Sequence, residues 1–222
     1  KEFDGSLDLA IQIFTNTYSR KFMHQLVSGQ VDVDRLDYLK RDSFYTGVTE
    51  GNINTDRIVA MMNVDQEQLV FESKGVHSLE KFLLARRLMY WQVYLHKTSL
   101  AAELILVKIL SRFRILTESG KESLTDSHVL FPFFNLNKAS ILEESALETY
   151  LTLDDSDILA LLKRWMKHED IVLSRLSKQL INRDLPKIKL QSTPISEEAI
   201  NKKKDRLIHF NISDSISDNF VF

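Results

Sequence analysis

The sequence predicts a mainly α-helical protein that ends in a small α+β lobe. Only 6 glycines and 3 prolines interrupt the 222 residues, and the apolar residues between them recur at helical spacing. A hydrophobic content of 44% beside 27% charged residues suits one globular domain with a sizeable core. Because the pattern changes beyond Pro186, we expect one helical domain over residues 1–183 and the small lobe over residues 184–222.

The first part of the chain is expected to hold three helices and one strand. A helix that begins near Leu7 would end at Gly29, and a second would end before Gly47, since glycine commonly follows the last helical residue. A compact β-prone run then indicates half of a hairpin. The expected elements are, in order, a helix from Leu7 to about Val27, helices over Asp34–Phe44 and Thr55–Met62, and a strand over Gln68–Glu72.

The second part is expected to be dominated by one long helix. It would begin at Ser78, a good N-cap with Glu80 in the first turn, and continue to about Leu116. Acidic residues predict another helix start at Asp154–Asp157, and helical spacing returns over Ile171–Ile181. The small lobe is expected to contain strands over Lys187–Leu190 and Leu207–Phe210 around a short helix that starts at Thr193.

Charge and cysteine content narrow the classes of partner and location. The formal net charge is -2, from 29 Lys+Arg against 31 Asp+Glu, so no global field favours nucleic acid or an anionic membrane as partner. Cysteine is absent, which excludes disulfides, cysteine-bound metals and thiol nucleophiles. Apolar stretches such as Leu104–Val107 fall far short of the roughly 20 residues of a membrane span, and no signal peptide is visible. We therefore expect a cytoplasmic protein that meets any anion through local cations.

Two segments place aromatic rings among charges on one helical face. At about 100° per residue, the first places Tyr38 between Asp34 and Asp42, with Arg41 beside them. The second aligns Arg86, Tyr90, Val93, Tyr94 and Lys97 on one stripe and Leu84, Leu88, Trp91 and Leu95 on the other. Packed together, the two polar stripes would offer a carboxylate for a metal ion, guanidinium groups for phosphates and rings for a sugar or base.

Each feature also has a plainer interpretation. The aspartates beside Arg35 and Arg41 fit ordinary ion pairs on a helix surface. Tyr90 and Tyr94 fit half-buried packing residues. His96 has no second histidine at metal-binding spacing, which favours a structural role. Helical geometry alone therefore indicates only an anion pocket.

A resemblance to a known family gives the two segments a common interpretation. Gln25–Gly47, which reads QLVSGQVDVDRLDYLKRDSFYTG, is similar to the segment of HD-domain dNTP triphosphohydrolases that contains their last metal-binding aspartate. Phe82–Lys97, which reads FLLARRLMYWQVYLHK, resembles their phosphate-binding helix with its Tyr-x-His-Lys ending. Weaker similarity continues through Leu153–Asp157 and Asn182–Lys187. The resemblance implies part of an HD-domain-type helical bundle in a metal-dependent nucleotide phosphohydrolase.

The resemblance implies a role for each residue at a matching position. By resemblance, Asp34 is the final metal ligand, Arg35 contacts a phosphate and Arg86 contacts the terminal phosphate. The resemblance also implies that Tyr38 packs against the sugar and disfavours a 2′-hydroxyl, that Asp42 accepts from the 3′-hydroxyl and that Tyr94 lines the sugar and base site. His96 and Lys97 match a corner that faces an effector nucleotide at a subunit contact in regulated relatives. Tyr90 departs from the histidine of some relatives, which leaves base selectivity open.

The family's metal site needs residues that this sequence does not supply. Its other ligands are a histidine and a His-Asp pair, but His24, the only histidine before Asp34, is followed by Gln25. A lone carboxylate cannot hold the divalent ion (Mg, Mn, Fe or Zn) that would polarise the phosphoryl group and generate hydroxide. We therefore expect the chain to be inactive alone. Its expected partners are an N-terminal HD segment of the same protein, further copies of itself in a homo-oligomer, and the nucleotide substrate.

Three functions are consistent with the sequence. The leading hypothesis is hydrolysis of a dNTP to a deoxynucleoside and triphosphate. A phosphohydrolase that acts on another nucleotide or phosphoester has the same fold, and Arg35 with Arg86 favours a polyphosphate only weakly. The third is a non-catalytic helical module that senses nucleotide. A His…His-Asp pattern upstream of this chain would favour an enzyme, and its absence would favour the sensing module.

Overall fold

The computed structural model describes residue 5, residues 7–119, 130 and 133, and residues 144–188, 191–210 and 212–221. These residues form a mainly helical fold with a two-stranded antiparallel sheet, which confirms the predicted fold class. The chain divides into two compact units, Lys1–His96 and Lys97–Phe222. The boundary predicted near residue 184 stays a prediction. Within the described part of the chain, no helix combines the length and apolar character that a membrane crossing needs.

The first unit consists of helices around a β-hairpin. Its α-helices are α1 (Asp8–Phe14), α2 (Lys21–Ser28), α3 (Val33–Thr46), α4 (Thr55–Ala60) and α5 (Val76–Met89). Strands β1 (Met62–Asp65) and β2 (Gln68–Phe71) lie between α4 and α5, and 3-10 helices cover Thr49–Gly51 and Ser73–Gly75. Helices α3 and α4 and the hairpin confirm the elements predicted at these positions.

The single long helix predicted at the start of the chain is wrong, because the backbone leaves helical geometry after Phe14. Asn16 adopts a left-handed conformation with φ 59°. The hydroxyl of Thr15 donates to a carbonyl of α1, and such side chains compete with the helical ladder. Nδ1 of His24 lies 2.9 Å from the carbonyl oxygen of Ile13, so this histidine connects α2 back to α1.

The hairpin is closed by a tight two-residue turn. Strands β1 and β2 pair in antiparallel register, and Gln66 and Glu67 between them have φ 46° and 63°. Two successive positive φ values are what a type I′ turn requires. The side-chain oxygen of Gln25 accepts from the amide of Leu69 at 2.7 Å, which joins α2 to the hairpin.

Helices α3 and α5 supply most of the core of the first unit. Leu36 and Leu39 of α3 are buried, as are Phe82, Ala85 and Met89 of α5. Along each helix these residues lie three or four positions apart, which is the period of one helical face. Their burial fixes which faces of α3 and α5 remain for polar side chains.

The long helix predicted to begin at Ser78 starts earlier and is interrupted. Helix α5 begins at Val76, directly after the second 3-10 helix and without a side-chain cap, so Ser78 is not its N-cap. Tyr90–Tyr94 form a π-helix in which the amide of Leu95 donates to the carbonyl of Tyr90 at 2.7 Å. Turns of this kind are rare and are often found at functional sites.

In the second unit, the regular elements among the described residues are helices. They are α6 (Lys97–Glu118), α7 (Glu144–Thr152), α8 (Asp155–Trp165), α9 (Ile171–Ile181), α10 (Glu197–Ile208) and α11 (Asp214–Ser217). The core is built around Phe113 of α6, whose ring centroid lies 4.6 Å from that of Trp165. Asp154 and Asp157 form a capping box at the start of α8, which confirms the predicted acidic helix start.

The strand predicted over Leu207–Phe210 is wrong, because Leu207 and Ile208 end α10. Ser196 caps this helix by accepting from the amide of Ala199, and two glutamates follow in the first turn. The helix was predicted to start at Thr193, but it begins later, at Glu197. A capped helix three turns long outweighs the strand preference of four residues at its end.

The other predicted strand of the C-terminal lobe is not seen as a strand where it is described. Lys187 and Ile188 have no regular secondary structure. Residues 189–190 lie outside the described residues.

Candidate functional site

Five side chains from α3, α5 and the π-helix meet in the first unit. They are Tyr38 and Asp42 of α3, Arg86 of α5, and Tyr90 and Tyr94 of the π-helix, and we call them the tyrosine cluster. Tyr90 is 39% exposed, and the other four are partly buried. All except Tyr90 are residues for which the sequence predicts a substrate contact.

Tyr94 and Asp42 form the polar centre of the tyrosine cluster. The phenol Oη of Tyr94 donates to Oδ2 of Asp42 at 2.7 Å. Burial and then this hydrogen bond raise the pKa of Tyr94 well above the usual range of a phenol. Tyr94 therefore remains a hydrogen-bond donor at neutral pH, and Oδ1 of Asp42 accepts no hydrogen bond from a described residue.

The three rings of the cluster stand edge to face in a row. The centroid of Tyr94 lies 6.0 Å from that of Tyr38 and 5.1 Å from that of Tyr90, with interplanar angles of 77° and 76°. The guanidinium carbon of Arg86 lies 5.8 Å from the Tyr90 centroid. These are the preferred geometries of aromatic pairs and of cation–π contacts. The rings thus join the cation of Arg86 to the carboxylate of Asp42.

Tyr38 is influenced by charges from both helices. Burial and then Tyr90 raise its pKa, while the positive charges of Arg86 and Arg35 lower it. The net effect is a raised pKa. Tyr38 is therefore a neutral ring at neutral pH, and both arginines lie near enough to act on it electrostatically.

Asp34 and Arg35 lie in the first turn of α3, and within the described residues no hydrogen bond or ion pair joins either side chain to the rings. Asp34 is exposed. The guanidinium of Arg35 pairs with Asp32 and donates to the carbonyl of Gly29. Asp32 is 2% exposed and also caps α3 by accepting from the Arg35 amide at 2.7 Å. Arg35 is therefore held by local partners, and its predicted phosphate contact stays a prediction.

Asp32 was not singled out from the sequence, although a signal for it exists. An aspartate directly before an apolar periodic run is a typical N-cap. Arg41, which the helical wheel places on the polar stripe, pairs instead with Asp37 one turn away. In both cases the arginine forms an ion pair with an aspartate three or four positions before it in the sequence.

The described residues do not form a metal centre by themselves. Among them, no group of three or more His, Cys, Asp or Glu side chains could hold an ion. Asp34 offers one carboxylate, and its predicted role as a metal ligand stays a prediction that requires donors from elsewhere. The same holds for His96, at the end of the first unit, and Lys97, at the start of the second, as contacts of an effector or phosphate.

Comparison with known proteins relates the chain to phosphohydrolases. Residues 53–127 match the HD-associated region family. The chain is 37% identical over 174 residues to the uncharacterised protein YwfO of Bacillus subtilis, which covers 78% of this chain and 39% of YwfO. It is 31% identical over 90 residues to the deoxynucleoside triphosphate triphosphohydrolase SAMHD1 homolog of Dictyostelium discoideum, which covers 39% of this chain and 17% of that protein.

A solved structure gives the same relation over nearly the whole chain. The crystal structure of a phosphohydrolase from Bacteroides thetaiotaomicron is 48% identical and superposes with a TM-score of 0.91, covering 98% of this chain and 55% of that one. The chain thus spans about half or less of the length of these relatives. The HD-associated region, the Bacteroides phosphohydrolase and the distant SAMHD1 homolog together support an HD-type phosphohydrolase as the kind of protein to which this chain is related.

Proposed function

We propose that this chain forms part of a metal-dependent HD-type phosphohydrolase that converts a dNTP to a deoxynucleoside and triphosphate. The observation that carries the proposal is the tyrosine cluster, in which contacting rings join Arg86 to Asp42. The Dictyostelium relative is named as a deoxynucleoside triphosphate triphosphohydrolase homolog, which supports the same substrate.

The chemistry of the cluster suits a deoxynucleotide. A guanidinium group is always charged and presents a fork of donors, which matches the oxygens of a phosphate, so Arg86 is the proposed contact of the phosphate tail. Oδ1 of Asp42 is available to accept from a sugar hydroxyl, while Oδ2 is held by Tyr94. The rings of Tyr38 and Tyr90 offer apolar faces to the sugar and the base.

The proposal assigns the metal to a site that this chain completes only in part. Asp34 would contribute one carboxylate, and the remaining ligands would come from outside the described residues, which contain no cluster of three candidate donors. When bound, the ion would polarise the phosphoryl group and lower the pKa of a bound water. The residues of the tyrosine cluster would bind and orient the nucleotide beside it.

The test uses the complete gene product with dGTP and follows the phosphorus-containing product by ³¹P NMR. Release of intact triphosphate is expected. Asp34→Ala should abolish turnover and lower the bound metal, measured by elemental analysis, while Asp37→Ala on the same exposed side of α3 should retain both.

Three results would count against the proposal. Release of orthophosphate or pyrophosphate would indicate a phosphohydrolase of another specificity. Nucleotide binding without turnover in the complete protein would indicate a sensing module. Unchanged metal content and activity in Asp34→Ala would return Asp34 to an ordinary surface charge.

A further inference from the structure

A groove lies along α3 and is lined by none of the five residues of the tyrosine cluster. It has a volume of about 690 Å³ and is lined by Lys40, Phe44, Tyr45, Thr49 and Asn52, among others. This volume is in the range of small-molecule sites, about 300–1,000 Å³. We call it the outer groove.

The outer groove and the tyrosine cluster use different residues of helix α3. At about 100° per residue, buried Leu39 lies between Tyr38 and Asp42 on one side and Lys40 and Phe44 on the other. The residues that line the groove are distinct from the five of the cluster. A ligand in the outer groove would therefore contact a different set of side chains from the proposed substrate.

Two adjacent aromatic rings form one wall of the groove. Phe44 and Tyr45 are each 79% exposed, and their centroids lie 5.3 Å apart at an interplanar angle of 84°. Single exposed apolar residues are common on protein surfaces, but two large rings at nearly a right angle form a corner in which another flat ring can stack on one and meet the other edge to face. The helix ends just beyond them at Gly47, whose φ of 72° turns the backbone away.

A second concavity, of about 520 Å³, adjoins the groove, because Lys40 and Asn52 line both. It adds the ammonium group of Lys81. In the part of the chain that the structure describes, neither lysine forms an ion pair or a side-chain hydrogen bond, whereas Arg41 nearby is paired with Asp37. Asp56 is the acid that lines the second concavity, and the paired Asp37 and Arg41 line the groove beside it, so the two concavities together hold three cations and two carboxylates.

We propose that the outer groove binds a small ligand that carries a planar ring and a phosphate group. The ring would stack on either Phe44 or Tyr45 and meet the other edge to face. The phosphate would lie between Lys40 and Lys81, where an ammonium group serves as a point charge for an anion. The site goes beyond the proposed function, because it lies on residues that neither the substrate nor the metal would use.

The test measures binding to the complete protein by isothermal titration calorimetry without added metal, with adenosine 5′-monophosphate, adenosine and inorganic phosphate as probes. The nucleotide should bind about tenfold or more tightly than either half-ligand, because stacking and charge contribute together. The double variants Phe44→Ala/Tyr45→Ala and Lys40→Gln/Lys81→Gln should each weaken this binding about tenfold or more.

Variants elsewhere separate this site from the candidate active site. Arg86→Ala should leave the groove binding intact, as should Lys202→Gln on exposed α10. Dependence on Arg86 with no effect of the groove variants would overturn the proposal and assign the binding to the tyrosine cluster. Equal binding of phosphate and nucleotide would overturn the role of the rings. Groove variants that change only the oligomeric mass, measured by light scattering, would identify a protein interface and also overturn it.

Discussion

Replacing Tyr94 with phenylalanine removes one hydroxyl group and the hydrogen bond that it donates to Asp42 at 2.7 Å. A hydrogen bond to a charged group contributes about 1.5–3 kcal/mol. Because both side chains are only partly buried, we take the lower end, about 1.5 kcal/mol, which corresponds to about a tenfold change in kcat/KM. If Asp42 accepts from the 3′-hydroxyl and Tyr94 holds it in place, this loss should fall on substrates that have a 3′-hydroxyl.

The assay compares dGTP with its 3′-deoxy analogue in the complete enzyme. The ratio of their kcat/KM values should fall about tenfold in Tyr94→Phe. Tyr90→Phe is the matched control, since it removes a hydroxyl that forms no hydrogen bond with a described residue from the neighbouring ring, and it should keep the ratio. Equal losses on both substrates, or an unchanged ratio, would refute the coupling between Tyr94, Asp42 and the sugar.

The same hydrogen bond predicts a pH dependence. Burial and the bond to Asp42 raise the pKa of Tyr94 above that of an unfolded phenol, which is about 10. A raised folded pKa gives stabilisation that is fully present below the unfolded pKa and is lost as the pH rises through the folded pKa. Because the phenol stays protonated below its raised pKa, the hydrogen bond to Asp42 should persist and the substrate ratio should be constant from about pH 6 to 9. A decline of the ratio in that window would indicate that the phenol ionises earlier.

Three further substitutions test the sugar site and the two cores. Tyr38→Val should lower the ratio of kcat/KM for dGTP over GTP by a factor that corresponds to about 1–3 kcal/mol. Equal use of both substrates by the wild type would refute the dNTP assignment. Although burial raises it, hydrogen bonds from Arg112 hold the pKa of Asp170 below its usual range, so Asp170→Asn should lower the free energy of unfolding by about 2 kcal/mol at pH 7. That difference should shrink as the pH falls below about 4, because the wild-type carboxylate then takes up a proton, and a constant difference would contradict the ion pair. Gly51→Ala would place a Cβ 2.5 Å from Sδ of Met89 and should destabilise the first unit by about 1–3 kcal/mol in chemical denaturation, whereas wild-type stability would show that the core yields.

Helix positions and their buried faces follow from local patterns. The period of Leu36 and Leu39 predicts the buried side of α3, and the acidic start at Asp154–Asp157 predicts α8. In both cases the deciding interactions lie within one or two helical turns, so the sequence contains them. The tight hairpin after α4 is likewise signalled by a short β-prone run.

Helix ends were predicted less well, because they depend on partners distant in sequence or on rare backbone states. The left-handed Asn16 divides the first predicted helix, and the π-helix over Tyr90–Tyr94 interrupts the longest one. Neither position carries the glycine or proline that usually marks a break. At the other end, the cap at Ser196 starts a helix that continues through the predicted strand at Leu207.

The sequence by itself determined the helical class, the two polar aromatic stripes and four of the five residues of the tyrosine cluster. It did so because helical period is a local property and the quoted motifs carry the family resemblance. Only the tertiary structure decided that Tyr94 donates to Asp42, 52 positions away, and that Tyr90 completes the row of rings. It also decided that Arg35 turns to Asp32, because a helical wheel fixes the direction of a side chain but not which of several nearby partners binds it.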